Sequence, residues 1–177
     1  MYAVAADLAV EYLGGGNGRS CLVIGSPIYE ASRLRECGWD VTYLDVRDPP
    51  RHQIPKFIQC DASDMPMVPS ASFDSVSSTC VLAHIGLGRY GDPTTGSDVA
   101  AMAEIHRVLK PGGEAALTLG NVADGDETIR LGTCHRIYTR GSARCLISAF
   151  TVKREQIWNS GDSLEENYYI SMLLRKT

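Results

Sequence analysis

Four short runs of residues, each stopping at a glycine, an acid or a small polar residue, constrain the fold of this chain more than any other feature. CLVI at 21–24 runs into Gly25, DVTYL at 40–44 into Asp45, and FIQC at 57–60 into Asp61. A fourth run, FDSVSST at 73–79, is less apolar and leads through Val81 and Leu82 into HIGLGRYGD at 84–92. A short run that stays apolar without alternating reads as a strand covered on both faces. Between the first two runs lies a helical stretch, with Ser26 as its N-cap, Pro27 at its first position and a stop at Gly38. Further helices are expected at 2–13, 97–110 and 141–149, a fifth strand at 115–119, and two last strands at 150–158 and 168–174 joined by a turn at 160–162. Parallel neighbours need crossovers, and helical crossovers cover both sides of the sheet. The chain is therefore read as an α/β fold around a mostly parallel sheet.

At 177 residues the chain is read as one domain, 1–177, because domains commonly hold roughly 100–200 residues. Its net charge of −4 offers no positive field for a polyanionic backbone, so nucleic acid is not an expected partner. Six cysteines stand far apart, with no C-x-x-C pair and no zinc-ligand spacing. As small apolar residues they suit a reducing compartment. Neither a secretory leader nor a bilayer-spanning stretch is read. The expectation is a cytoplasmic protein that engages no membrane, with the oligomeric state left open and a homodimer among the alternatives.

Sheets of this kind bind ligands beyond the carboxyl ends of their strands. The loops after Ile24, Leu44, Cys60 and Thr79 are therefore expected to converge on one crevice. Asp45 follows Gly25 by about 20 residues, the interval at which a backbone turn meets one part of a nucleoside and a carboxylate takes two ribose hydroxyls. The same carboxylate reads equally well as a loop cap beside Arg47. Asp61 offers an acceptor for an exocyclic adenine amine, with the Ala62 amide donating to the ring; its competing role is an Asx turn.

These segments resemble the class I S-adenosylmethionine-dependent methyltransferases along nearly the whole chain. The matching pieces are the acid after the second strand (Asp45), CDASDMP at 60–66, SFDSVSSTCVLAHI at 72–85 and, most specific of all, EIHRVLKPGGEAAL at 104–117. The resemblance implies a Rossmann-like, doubly wound, mostly parallel seven-stranded sheet with helices on both faces and an antiparallel C-terminal strand. It also implies S-adenosylmethionine as cofactor, with Gly25, Ser26, Asp45, Asp61, Ala62 and Thr79 on the cofactor side. HIGLGRYGD together with HRIY at 135–138 is similar to a narrower methyltransferase-like branch catalogued as a domain of unknown function, which supplies no substrate. One departure matters: the family usually has several glycines after the first strand, whereas GSPIY at 25–29 keeps only the first. Pro27 also removes an amide donor, leaving Ser26 and the helix N-terminus to meet the carboxylate of the methionine moiety.

Methyl transfer holds an acceptor in line with the methyl group and often removes its proton. His84 follows the fourth strand and, with an ordinary pKa near ~6.5, is the first candidate base; bracing the loop against a backbone carbonyl is its competing role. Asp92 is expected to orient that histidine or to act as base itself, and His135 to close over the same crevice. Arg89, Tyr90, Arg136 and Tyr138 are the candidate acceptor-binding side chains, Arg89 offering a two-pronged donor to a phosphate or carboxylate unless it pairs with Asp92. No spacing compels a metal at His84, Asp92 and His135, so none is assigned. The expected function is methyl transfer from S-adenosylmethionine to an oxygen or nitrogen of a small polar acceptor, such as a sugar or other metabolite. The alternatives are a non-catalytic nucleoside-binding or scaffold domain that retains the fold, and a nicotinamide-dependent oxidoreductase, disfavoured because G-x-G-x-x-G is missing.

Overall fold

The computed structural model describes residues 2–48, 56–90, 96–123, 128–159 and 168–177. In chain order its elements are α1 (Tyr2–Leu13), β1 (Ser20–Ile24), α2 (Ile28–Glu36), β2 (Asp40–Asp45), β3 (Phe57–Gln59), β4 (Phe73–Thr79), α3 (Asp98–Val108), β5 (Leu109–Ala123), β6 (Ile129–Leu131), β7 (His135–Thr139), α4 (Arg140–Leu146), β8 (Phe150–Asn159) and β9 (Tyr168–Lys176). Parallel pairing gives the order β3-β2-β1-β4-β5. β9 continues it antiparallel to β5 and carries β8 on its far edge. The result is a seven-stranded, mostly parallel sheet in which only β9 runs against the rest. The short β6–β7 hairpin also joins β5: Val122 pairs with Tyr168 of β9 and with Tyr138 of β7. The hairpin therefore takes the edge that β4 leaves after Thr79.

β1 shows why the unbroken apolar run makes a central strand. Side chains alternate between faces along a strand, and both faces here are packed. Cys21 and Val23 meet Ala9 and Leu13 of α1 and Ala31 and Leu34 of α2. Leu22 and Ile24 join the other core with Ala101, Met102 and Ile105 of α3. The Ser97 hydroxyl caps α3 by accepting from the Ala100 amide at 3.0 Å, satisfying a donor that a helix start leaves unpaired.

Three expectations change. α2 starts at Ile28, with Pro27 as a cap residue that makes no side-chain bond. Ser26 does not cap it, because its hydroxyl is engaged by the sheet: it donates to the Ile24 carbonyl at 3.2 Å and accepts from the Thr79 amide at 2.8 Å. α3 stops at Val108, since Leu109 already pairs with Phe73; residues 110–113 then bulge before Glu114 meets Ser75. The expected turn at 160–162 lies outside the described residues.

The EIHRVLKPGG segment acts as a brace. Between β3 and β4 the chain runs as turns, and Arg107 donates to the carbonyls of Met65 and Val68, both at 2.8 Å. Arg107 also pairs with Glu104, which accepts from the Met65 amide. At the sheet's lower end, Asp74 of β4 accepts from the Ser20 amide and hydroxyl of β1 and from Lys110 of β5. The Lys110 ammonium, aided by Ser20, holds the Asp74 carboxyl at about 2.

Arg107→Met removes charged hydrogen bonds to two carbonyls and leaves Glu104 without its cation. It is expected to lower the unfolding free energy by about 2 kcal/mol, read from urea titration; a change below about 0.5 kcal/mol contradicts the brace. Because the folded Asp74 carboxyl titrates below its unfolded value, its contribution is fully present above the unfolded pKa and is lost as pH falls through about 2. Acid unfolding of Asp74→Asn is accordingly expected to show a shallower pH dependence between about pH 4 and 2 than the parent.

Candidate functional site

Strand order reverses between β1 and β4, and there the C-terminal ends of four parallel strands open a cavity of about 420 Å³. The volume suits a small organic ligand. Gly25, Ser26, Pro27 and Ile28 line it after β1, residues 43–48 at the end of β2, Cys60, Asp61 and Ala62 after β3, and Thr79, Cys80 and Val81 after β4; His84, Ile85 and Tyr90 form the remaining wall. All six residues expected on the cofactor side thus share one hollow.

The turn after β1 tolerates only glycine. Gly25 has φ +56°, and a Cβ there would lie 2.9 Å from Cγ1 of Val81, so the turns after β1 and β4 touch. Cys80 opens the β4 turn in the left-handed region, with φ +58°, unusual for a residue with a side chain. Burial pushes its thiol up to about 12, which leaves it protonated and a poor nucleophile.

Asp45 is 7% exposed. Its Oδ1 accepts from the Arg47 amide at 2.9 Å and Nε at 3.0 Å, and its Oδ2 from Arg47 Nη2 at 2.7 Å. The hydroxyl proton of the adjacent Tyr43 goes to the Ser26 carbonyl, 2.5 Å away. A carboxylate has about four acceptor positions, so Oδ2 retains capacity and the half-exposed Arg47 is an exchangeable partner. Arg47 also lies over the Tyr90 ring, 4.8 Å from its centroid. Asp61 forms the Asx turn, its Oδ1 accepting from the Ser63 amide and hydroxyl at 2.8 Å each; Oδ2 makes no hydrogen bond among the described residues.

On the opposite wall a 3-10 turn, Leu82–His84, delivers the histidine. His84 Nδ1 lies 2.8 Å from the Cys134 carbonyl. A carbonyl only accepts, so Nδ1 carries the proton, and Nε2 makes no hydrogen bond among the described residues. Burial, with the nearby charges of Arg89, His135 and Arg136, holds the imidazole below its ordinary pKa against the opposing pull of that carbonyl. Tyr90 and His135 meet the ring edge-on at 5.8 and 6.2 Å between centroids. Gly86, at φ +71°, packs so closely on Gly96 that a Cβ would fall 1.8 Å from its carbonyl oxygen.

The other expected acceptor-side residues are placed differently. Arg89 donates to the Cys134 carbonyl at 2.8 Å, sharing the acceptor that His84 uses. Arg136 is turned to the loop backbone, donating to the Ile85 carbonyl at 2.7 Å and lying 3.6 Å from Asp98. Tyr138 is 1% exposed and donates to Asp98 at 2.9 Å, so burial among core side chains keeps it off the cavity wall. Arg136 and Tyr138 are therefore corrected from acceptor contacts to supports of the wall. Asp92 lies outside the described residues. Among the described residues no three His, Cys, Asp or Glu side chains gather as a metal site, and no helix is long and apolar enough to cross a membrane.

Two participants escaped the sequence reading. The Cys134 carbonyl, a backbone group, has no residue signature. Glu30, in the first turn of α2, is wholly buried beside Ser77, a place that an acid rarely takes without a cation.

Comparison with known proteins supplies the family. The methyltransferase domain family matches residues 13–117. No curated protein sequence matches the chain. Among solved structures, the 1,6-didemethyltoxoflavin-N1-methyltransferase of Burkholderia thailandensis, bound to 1,6-didemethyltoxoflavin and S-adenosylhomocysteine, superposes with TM-score 0.76 at 22% identity, over 99% of this chain and 78% of that one. The [4+2]-cyclase SpnF gives 0.73 at 19%, over 97% and 79%. The YcgJ protein of Bacillus subtilis gives 0.72 at 13%, over 98% of each chain. These likenesses carry the fold, and the family match, running from the end of α1 well into β5, carries the descent: the chain belongs to the methyltransferase domain family, within the class I S-adenosylmethionine-dependent superfamily.

Proposed function

We propose that this protein transfers a methyl group from S-adenosylmethionine to an oxygen or nitrogen of a small polar acceptor, with His84 as the base. The observation that carries the reading is the tautomer of His84: Nδ1 is held by the Cys134 carbonyl, Nε2 is unbonded among the described residues, and the ring lines the cavity that also holds Asp45 and Asp61. The donor and acceptor set fits the cofactor. Asp45 would take the ribose hydroxyls in exchange for Arg47, Asp61 Oδ2 and the Ala62 amide would meet the adenine, and the glycine turn at Gly25 would leave room for the methionine chain. When bound, S-adenosylmethionine supplies a methyl group made electrophilic by its sulfonium. His84 then has the task of removing the acceptor's proton, Tyr90 and Ile85 of shielding it from water, and Cys134 of keeping the imidazole oriented. The small-molecule acceptor is supported by the cavity volume and by the neighbour with bound 1,6-didemethyltoxoflavin. A cytoplasmic location is supported by six free thiols, as a reducing compartment would keep them.

A second reading, a nucleoside-binding or scaffold domain without turnover, is favoured by one observation: Asp45 is engaged by Arg47 and Ser26 by the sheet. Transfer of labelled methyl from S-adenosylmethionine to small hydroxyl- and amine-bearing metabolites separates the two. Binding of the cofactor with no transfer to any of them supports the second reading.

Asp45→Asn is expected to weaken S-adenosylhomocysteine binding about 10- to 100-fold, measured by calorimetry. His84→Gln is expected to lower turnover about 10²- to 10⁴-fold while cofactor affinity stays within about twofold; an equal loss of affinity in both variants contradicts the assigned roles. Because burial depresses the His84 pKa, turnover should stay flat through the ordinary histidine range and fall only as pH drops below it. His84→Gln should remove that acidic limb.

A further inference from the structure

Among the described residues Glu30 has no counter-charge. Its side chain is 0% exposed, Oε1 accepts from the Ser77 hydroxyl at 2.5 Å, and Oε2 makes no hydrogen bond of good geometry among the described residues. Among the described residues it makes no ion pair with any Lys, Arg or His. The buried Thr79 hydroxyl lies beside the carboxyl and, with Ser26, is one of its hydroxyl neighbours. A buried acid is normally paired with a cation or fully hydrogen-bonded, because an orphaned oxygen in a low dielectric costs stability. The only groups that meet the carboxyl among the described residues are thus neutral hydroxyls, and two of them, Thr79 and Ser26, line the cavity.

The charge missing from the protein is one that the cofactor carries. Resting on the methyltransferase reading, we propose that Glu30 is the buried counter-charge of the cofactor: it gives up its proton as cationic S-adenosylmethionine binds and regains it with the uncharged thioether of S-adenosylhomocysteine, so the site prefers reactant to product. Ser77 holds the carboxyl in place, and Thr79 and Ser26 stand between it and the ligand. Burial raises the carboxyl pKa despite its hydroxyl neighbours, which favours the neutral form before the cation arrives. The other titratable groups that feel Glu30 are Cys21 of β1, Tyr43 of β2 and Cys80 after β4; burial raises all three, leaving the carboxyl as the group poised to change charge. Glu30 acts through Thr79 and Ser26 and is a positioning residue.

Calorimetric titration of the whole protein with S-adenosylmethionine and with S-adenosylhomocysteine tests this, in buffers of different ionisation enthalpy between about pH 6 and 8.5. The wild type should release more protons to S-adenosylmethionine, and its preference for that ligand should rise with pH, by up to about tenfold per unit where a full proton separates the two. Glu30→Gln keeps a side chain able to bond Ser77 and should abolish both the proton difference and the slope. Equal proton release for the two ligands in the wild type, which needs no variant to fold, overturns the proposal. So does a difference that survives in Glu30→Gln. If both ligands bind but proton release is equal, the methyltransferase reading stands and the role of Glu30 falls; if the wild type takes neither ligand, both fall.

Discussion

The junction between β1 and β4 is the constraint on which the site depends. Strand order reverses there, so the chain leaves the two strands on opposite faces of the sheet and a hollow opens between the departing turns. The Ser26 hydroxyl ties the junction by bonding the Ile24 carbonyl and the Thr79 amide. Gly25, pressed against Val81, lets the turns approach without filling the hollow. This turn holds a single glycine and a proline, and the hydroxyl bridge is a side-chain tie across it.

Burial acts on both sides of the cavity with opposite electrical sign. A low-dielectric setting disfavours the charged form of any group, so it raises Glu30 and lowers His84 on the wall. In each case burial favours the neutral form. Such a hollow suits a cationic ligand on one side and the loss of an acceptor proton on the other. The fold alone does not specify this chemistry: the superposing structures include an N-methyltransferase and a [4+2]-cyclase, and reaction type follows from the side chains placed around a shared scaffold.

The loop 84–92 illustrates how much of a site is local. Its glycines and polar residues identify it as a shaped segment, and the strand before it fixes which edge of the sheet it covers. Its working geometry comes from elsewhere. The β6–β7 hairpin brings the Cys134 carbonyl to His84 and Arg89 across about 50 residues of chain, and Arg136 from the same hairpin ties the loop backbone at Ile85. Three-residue β6 has too little pattern to announce itself, so this support was not legible.

The sequence by itself determined the parallel sheet, the edge on which its strand ends meet and the acids found there, because apolar runs, glycines and aspartates act through local backbone geometry and period. Only the tertiary structure decided the distant partners: the Thr79 amide for Ser26, Asp98 for Tyr138 and, among the described residues, hydroxyls and no cation for Glu30. Hydrogen bonding and burial are properties of the space around a side chain, and that space is filled by segments far apart in the chain.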